Sequence, residues 1–206
     1  DGPHLPTLKA LDTSRQVIYI GSFAKVGFPG ARVGFTIADQ RVSGAEGNIA
    51  LFADYLSMIK SMVTVNTSAV SQAVIAGKLL RCEFSLARAN VRETATYLAN
   101  MRRLLTGLRA RFPTSSGSVE AAAAGQVSWN SPTGGFFAVV TLPFAADDEL
   151  MEYSAREHGV LWTPMSHFYA GQGGTHQARL ACSQLTAEEI ETGLDRFAAL
   201  VADRLR

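Results

Sequence analysis

The sequence VIYIGSFAKVGFPGARVGF, residues 17–35, places one lysine, Lys25, between two apolar runs. The first run is rich in β-branched and aromatic residues and ends at a Gly-Ser pair, and the second begins at Val33. This pattern predicts strands over 17–21 and 33–38, with the lysine in the connection between them. A lysine in such a loop is ordinarily a solvated surface residue, so its neighbours decide whether it has a further role.

The neighbours of Lys25 are suited to binding a phosphate group. Ser22 offers a hydroxyl beside the backbone N–H groups of the turn, and Arg32 offers a guanidinium that can donate to two phosphate oxygens. Gly30 and Gly34 allow the backbone to approach a ligand because they have no Cβ. A phosphate anchor beside an amine that reacts with carbonyl groups is what pyridoxal phosphate requires. These residues therefore predict a pyridoxal phosphate site.

Three segments of the chain resemble one family. SFAKVGFPGARVGF (22–35) resembles the S-F-S-K-x-x-x-P-G-x-R-x-G signature of the class I and II aminotransferases, which are fold type I pyridoxal-phosphate enzymes. SPTGGFFAVVTLP (131–143) resembles the P-x-G-G-F-F segment that begins the small domain of the family, and QARLACS (177–183) resembles its R-L-S-F strand. The resemblance implies an α/β fold: the C-terminal part of the large domain of a fold type I transferase, followed by a small α/β C-terminal domain.

The resemblance assigns roles around the cofactor. Lys25 would carry the cofactor covalently and move the substrate α-proton, while Ser22 and Arg32 would hold the cofactor phosphate. Ala24 stands where the family has a second serine, which removes one hydroxyl near the phosphate. The family's aspartate on the pyridine nitrogen, its ring tyrosine, its asparagine and its stacking aromatic residue would all precede residue 1. We therefore expect the chain to be a C-terminal half, with the N-terminal half of the same protein as its partner.

The resemblance also assigns substrate contacts. Arg179 would bind the substrate α-carboxylate, and Gly134 and Gly135 would leave room for the substrate. Residues 58–77 and 159–183 are similar to aminotransferases that act on hydroxyphenylglycine or dihydroxyphenylglycine in peptide-antibiotic pathways. Aminoadipate and aromatic aminotransferases share most of this framework, so the amino donor and acceptor stay open.

The implied activity is transfer of an amino group between an α-amino acid and a 2-oxo acid. A lyase, a decarboxylase and an oxidase are alternatives on the same fold, and the effector domain of a transcription regulator is a non-enzymatic one. The family builds its sites at the interface of a homodimer. Asn66, in VTVNTSAVSQ (63–72), is a candidate for a contact across that interface, and helix capping by residues 66–68 is the alternative.

The composition limits the size of the core, the kinds of partner and the cellular location that we expect. With 206 residues, of which 47% are hydrophobic and 18% charged, the chain can bury a substantial core. Its 19 basic and 18 acidic residues leave a net charge of +1, which argues against a nucleic-acid partner. The apolar runs are shorter than the roughly 20 residues of a membrane helix. We therefore expect no membrane partner and a cytoplasmic location.

The cysteines and histidines predict neither a disulfide framework nor a metal site. Cys82 and Cys182 are far apart and form no C-x-x-C motif, so we expect reduced thiols. Four histidines lack metal-ligand spacing and are expected to be exposed or hydrogen-bonded: His4, His158, His167 and His176. His167 precedes a glycine-rich segment, residues 168–177, which we interpret as a loop covering the substrate and not as a nucleotide cradle.

Periodicity and capping residues predict the other elements. The expected helices are 46–61, 69–80 with Thr67 or Ser68 as N-cap, 84–112 ended by Pro113, 146–159 ended by Gly159, and 186–205. The expected strands are 125–130, 134–143, 160–164 and 177–183. We assign Trp129 and Trp162 to the core, and six arginines to the wet face of the long helix: Arg88, Arg92, Arg102, Arg103, Arg109 and Arg111.

These elements suggest three parts. Residues 1–83 would belong to the large cofactor-binding domain, 84–112 would form an interdomain helix, and 113–206 would form the small C-terminal domain. Residues 114–125 are rich in small residues and are the best candidate for a loop or linker.

Overall fold

A computed structural model describes residues 5–26, 28–44, 47–113 and 126–206. The chain divides into two compact units, which meet in sequence between Val91 and Arg92. The proposed linker at 114–125 and His4 lie outside the described residues.

In its described residues, the first unit contains two antiparallel hairpins and four helices. Its elements are α1 (Leu8–Leu11), β1 (Tyr19–Ser22), a 3-10 turn (Pro29–Ala31), β2 (Gly34–Ile37), β3 (Arg41–Ser43), β4 (Ile49–Leu51), α2 (Phe52–Thr64), α3 (Ala69–Arg81) and α4 (Leu86–Ala89). Strand β1 pairs with β2, and β3 pairs with β4. The predicted strands around Lys25 are thus confirmed as a hairpin, and Ser68 is the N-cap of α3, since its side chain accepts from the backbone N–H of Ser71.

The predicted helix over 46–61 starts too early. Ile49–Leu51 is a strand that pairs with Arg41–Ser43, and the backbone N–H of Phe52 donates to the carbonyl of Gln40 at 2.9 Å. The ladder fixes the chain in an extended conformation up to Leu51, so α2 begins only at Phe52. The apolar residues of the three-residue strand and of the first turn of α2 follow one helical spacing. Periodicity alone therefore predicts a single helix over both.

The predicted helix over 84–112 is broken at Asn90. Ser85 caps the short helix α4, and the Asn90 amide donates to the carbonyls of Leu86 and Val26. The long helix of the chain, α5 (Val91–Arg111), begins after this break and ends just before Pro113, as predicted. Arg88 therefore belongs to α4 and not to the long helix.

The second unit contains a four-stranded antiparallel sheet with the order β5-β6-β8-β7. Besides α5, its elements are β5 (Ser128–Trp129), β6 (Phe137–Thr141), α6 (Asp148–Tyr153), a π-helical turn (Ser154–His158), β7 (Thr163–Pro164), a 3-10 turn (Met165–Phe168), β8 (Gln177–Ala181) and α7 (Ala187–Arg204). Gly159, with φ of 64°, ends the π-helical turn where the sequence predicted the helix to stop. Strands β5 and β6 are shorter than predicted at both ends, whereas β7 begins later than predicted and β8 ends earlier.

The core of this unit lies between one face of the sheet and the helices. Ala138 and Val140 of β6 and Ala178 and Leu180 of β8 point into it, and α5 and α7 cover them with apolar side chains that include Leu108 and Phe197. Trp129 and Trp162 are buried there, as predicted. Because side chains alternate along a strand, the residues between these positions lie on the other face of the sheet.

Arg111 is an exception to the predicted wet face of the long helix. Its side chain is only 16% exposed and donates to Asp195 at 2.8 Å and to both the backbone carbonyl and the carboxylate of Glu191 at 3.1 Å. The residue therefore ties the end of α5 to α7, because it faces the neighbouring helix and not solvent.

Candidate functional site

The hairpin of β1 and β2 brings Ser22, Lys25 and Arg32 to the end at which its two strands are joined. Ser22 pairs with Gly34, and beyond this pair the N–H of Phe23 donates to the carbonyl of Val33 at 2.9 Å. Lys25 lies in the turn that follows, and Arg32 lies just before β2. The three residues predicted to hold the cofactor are thus gathered where the two strands are joined.

Packing explains why the side chains of Ser22 and Arg32 are exposed. Ala31 and Val33 are buried with Ile75 of α3, and Phe23 packs against this cluster. The alternating neighbours Ser22 and Arg32 are left exposed. The apolar residues therefore fix this end of the hairpin on α3, which leaves the polar ones on the outer side, where a ligand can reach them.

The local backbone contributes to the arrangement. Ser22 Oγ accepts a hydrogen bond from the N–H of Ala24 at 3.2 Å, which closes a short turn before Lys25. Arg32 adopts a left-handed conformation with φ of 52° at the end of the 3-10 turn Pro29–Ala31. Such a conformation is uncommon for a residue with a Cβ and is frequent at functional sites. A Cβ at Gly34 would lie 3.2 Å from the carbonyl oxygen of Gly21, so this glycine serves close strand pairing.

The donor set fits pyridoxal phosphate. A hydroxyl and a guanidinium are suited to phosphate oxygens, and an exposed lysine amine is suited to an aldehyde. All three belong to one short hairpin end that is held by apolar packing. The residue types gathered at this end of the hairpin therefore fit the cofactor that the sequence predicts.

Arg179 lies in the second unit, in the middle of β8, on the face of the sheet away from the core. It pairs with Val139 of β6 on one side and with Thr163 of β7 on the other. Its guanidinium carbon lies 4.2 Å from the ring centre of Phe137 and 4.4 Å from that of Phe168. Two aromatic rings therefore hold the charged group in place through cation–π contacts.

The guanidinium of Arg179 is not used in a structural hydrogen bond through its Nε atom. Within the described part of the chain, this buried atom has no hydrogen-bond partner. A buried donor without a protein acceptor is costly, and such a group ordinarily receives its acceptor from a water, an ion or a ligand. This arrangement suits a residue that binds an external carboxylate and does not suit a surface ion pair.

The other residues singled out from the sequence are spread over both units. Gly134 and Gly135 lie in open space, since an added Cβ at either would meet no described atom within 4 Å, and Gly135 has a φ of 81°. They border a groove with Tyr97 and Met101 of α5. Asn66 is exposed in the connection between α2 and α3. The roles expected for these residues stay predictions.

The described histidines each have a polar neighbour. His158 lies 3.6 Å from a carboxylate oxygen of Asp203, His167 lies 3.0 Å from one of Asp148, and His176 lies 3.3 Å from the carbonyl oxygen of Leu142. Across the described ranges, no group of three or more His, Cys, Asp or Glu side chains is placed to hold a metal ion. Cys82 and Cys182 are unpaired, and burial raises the pKa of the Cys182 thiol.

A family model for class I and II aminotransferases matches residues 3–197. The chain belongs to the class I and II aminotransferase family. Among curated relatives, it is 55% identical over 202 residues to the (S)-3,5-dihydroxyphenylglycine transaminase of Amycolatopsis orientalis, covering 98% of this chain and 43% of the relative.

Two solved aminotransferases share the fold. The α-aminoadipate aminotransferase LysN from Thermus thermophilus, complexed with N-(5'-phosphopyridoxyl)-L-leucine, is 27% identical with a TM-score of 0.76. The kynurenine aminotransferase of Pyrococcus horikoshii is 26% identical with a TM-score of 0.78. Each match covers 100% of this chain and 47% or 45% of the other. The fold type I α/β class predicted from the sequence is confirmed.

The chain spans less than half the length of these relatives. In the ranges that the structure describes, no helix has the length and apolar character needed to cross a membrane.

Sequence reasoning missed the two aromatic residues that flank Arg179. Phe137 lies 42 residues before Arg179 and meets it through the register of β6 on β8, and Phe168 lies 11 residues before it and meets it through the path of the turn after β7. The resemblance of residues 131–143 to the P-x-G-G-F-F segment assigns a role to the glycines and none to the ring of Phe137. The sequence signal that could have found Phe137 is the alternation of β6, because Phe137 lies on the same face of the sheet as Val139. Val139 pairs with Arg179, so Phe137 and Arg179 share that face.

Proposed function

We propose that this chain supplies the lysine-bearing hairpin and the carboxylate-binding strand of a pyridoxal-phosphate-dependent aminotransferase. The observation that supports this most directly is the gathering of Ser22, Lys25 and Arg32 at one end of the β1–β2 hairpin, in a chain of this family. The bound cofactor supplies an electron sink that stabilises negative charge at the substrate α-carbon.

The side chains of this protein would then do four things. Lys25 attaches the cofactor and afterwards accepts and returns the α-proton of the substrate at its Nζ atom. Ser22 and Arg32 hold the phosphate group and so fix the cofactor's position. Arg179 binds the substrate carboxylate, and this selects which bond of the α-carbon faces the base.

We propose an aryl-substituted glycine as the amino donor and a 2-oxo acid as the acceptor. The similarity to a dihydroxyphenylglycine transaminase, at 55% identity across nearly the whole chain, supports this class. A homodimer, with Asn66 near the interface, is part of the same proposal. Cytoplasmic location and the lack of a nucleic-acid partner stay predictions from composition. A lyase, a decarboxylase, an oxidase or a regulator domain would retain the lysine attachment and lack transaminase turnover.

The test is chemical trapping combined with an activity assay on the full-length protein. Reduction of the cofactor-loaded protein with borohydride, after removal of free pyridoxal phosphate, followed by peptide mapping, is expected to place the adduct on Lys25. Lys60, an exposed lysine of α2 that donates to Thr64, is the matched position that should stay unmodified. An adduct elsewhere, or none in cofactor-loaded protein, contradicts the cofactor assignment.

The activity assay follows amino transfer from phenylglycine to 2-oxoglutarate by product analysis. We expect stoichiometric formation of the aryl oxo acid and glutamate. Trapping at Lys25 without any amino transfer from several amino acids would favour the alternatives on the same fold.

A further inference from the structure

Phe168 is an exposed aromatic side chain beside a charged group. It is 53% exposed, although most large apolar side chains of the second unit are gathered in its core. Its ring nonetheless lies 4.4 Å from the guanidinium carbon of Arg179. One part of the ring therefore contacts the arginine, and another part is exposed and accessible to a ligand.

The backbone that carries Phe168 is fixed by contacts on both sides. Before the turn, Pro164 is buried and pairs with Ala178 of β8. Within it, His167 lies 3.0 Å from a carboxylate oxygen of Asp148, at the start of α6. The exposed position of the ring is thus built into the fold.

The residues after Phe168 also hold the turn. The ring of Tyr169 packs against the backbone of Gly173 and Gly174, where any Cβ would overlap it. The N–H of Tyr169 donates to the carbonyl of Ser166 at 3.2 Å. Close packing against two glycines leaves little freedom for the start of this loop.

We propose that Phe168 is a specificity-determining residue whose exposed ring surface contacts the aromatic side chain of the amino acid substrate. The proposal rests on the proposed function, in which Arg179 binds the substrate carboxylate. In an arylglycine the ring is bonded directly to the α-carbon that also carries the carboxylate. A carboxylate at the Arg179 guanidinium therefore brings the substrate ring close to the ring of Phe168.

Two aromatic rings in offset or edge contact are stabilised beyond the area that they bury, and an alkyl chain gains only the area contribution. The expected preference for an aryl over an alkyl side chain from one such contact is about two- to tenfold. This preference distinguishes a direct contact with the substrate from simple support of Arg179, because loss of that support would affect every amino acid substrate alike.

The experiment compares phenylglycine and norvaline as amino donors for the full-length, cofactor-loaded enzyme. We expect Phe168→Leu, which removes the ring and keeps apolar bulk, to lower kcat/KM for phenylglycine about two- to tenfold more than for norvaline. Phe168→Tyr, which keeps the ring, should leave the ratio of the two substrates within about twofold. Leu161→Ala is the matched control, since Leu161 is a 72% exposed apolar side chain of the same unit.

Equal losses for both substrates in Phe168→Leu would overturn the inference and leave Phe168 as a positioning residue for Arg179. A wild-type enzyme that transfers amino groups from norvaline but not from phenylglycine would also overturn it, while the aminotransferase assignment stands. No amino transfer from any amino acid by the wild-type enzyme would overturn the proposed function and this inference together.

Discussion

Arg179 is a charged residue in the middle of a sheet, and its guanidinium contacts two aromatic rings. We expect Arg179→Ala to lower kcat/KM for amino acids by a few orders of magnitude, roughly 3–5 kcal/mol, because a carboxylate in a partly dry site loses its partner. Arg179→Lys should restore only a fraction, since an ammonium cannot reproduce the two parallel hydrogen bonds of the guanidinium.

The control for this prediction is an amine without a carboxylate. Steady-state kinetics with phenylglycine and with benzylamine separate binding from folding, because benzylamine has nothing for Arg179 to bind. If both substrates lose the same factor in both variants, Arg179 supports the fold and does not bind the carboxylate.

Asp12 is a second residue whose surroundings stabilise its charged form. Its side chain is 4% exposed and accepts hydrogen bonds from the N–H of Val17 at 2.9 Å and of Ser14 at 3.1 Å, and it pairs with Lys9 at 3.2 Å. The backbone hydrogen bond from Val17 is the largest cause of a pKa well below the ordinary range of an aspartate. The ionised carboxylate thus ties α1 to the chain that enters β1.

The lowered pKa of Asp12 predicts how stability depends on pH. The Asp12 carboxylate binds a proton less readily in the folded state than in the unfolded state. Its contribution to the free energy of unfolding is therefore complete above the ordinary aspartate pKa of about 4 and is lost as the pH falls below it. We expect Asp12→Asn to be less stable than wild type at pH 7, with a difference that shrinks on acidification. Denaturant unfolding at several pH values measures this, and a difference independent of pH would contradict it.

Among the elements, those with strong local signals could be predicted from sequence. At the start of α7, the Thr186 side chain accepts from the N–H of Glu189 at 3.2 Å, and the Glu189 side chain accepts from the N–H of Thr186 at 2.7 Å. This reciprocal pair is a capping box, which a threonine followed three residues later by a glutamate predicts. The hairpin around Lys25 has a similarly local pattern. The β3–β4 hairpin and the break at Asn90 depend instead on pairing and on an amide that reaches Val26, which no local pattern contains.

The same distinction applies to the candidate site. Ser22, Lys25 and Arg32 follow one another within a short segment, so their type and spacing suggest their chemistry. The aromatic contacts of Arg179 arise from cross-strand register and from a turn whose path is set by tertiary packing. Sequence could therefore suggest the arginine and the face of β6 that carries Phe137, but not the register that brings this ring to Arg179.

The packing of α5 on α7 provides a prediction at the scale of elements. A Cβ at Gly107 of α5 would overlap Cδ1 of Leu194 on α7, whereas one at Gly193 of α7 would meet no described atom within 4 Å. We expect Gly107→Ala to destabilise the protein by about 1–3 kcal/mol through overpacking. Gly193→Ala should stabilise it by about 0.5–1 kcal/mol, because alanine favours the helix.

The two variants are matched controls for each other, since both replace a helical glycine by alanine. Equilibrium denaturation of each, compared with wild type, gives the two differences in unfolding free energy. Stabilisation by both variants would show that helix propensity and not contact between α5 and α7 decides the outcome.

At the scale of the whole molecule, the two units differ in how much core they contain. In the second unit a continuous cluster runs through the sheet, α5 and α7. In the first unit the buried cluster consists of Ala31, Val33 and Ile75, and the described residues bury no side chain of α2. Large apolar side chains of α2, such as Met62 and Val63, are more than three-quarters exposed. A core this small does not stabilise a domain by itself.

This contrast predicts an uneven pattern of amide hydrogen exchange. In the 206-residue chain studied alone, α5, β6 and α7 should be protected, while α2 and α3 should exchange rapidly because few buried apolar contacts oppose their opening. In the full-length protein, whose relatives are more than twice as long as this chain, we expect α2 and α3 to become protected. Hydrogen exchange followed by mass spectrometry on both proteins measures this. Equal protection of α2 in the two would mean that the hairpins and α3 stabilise the first unit without further contacts, and that the lysine-bearing hairpin is preformed independently of the rest of the enzyme.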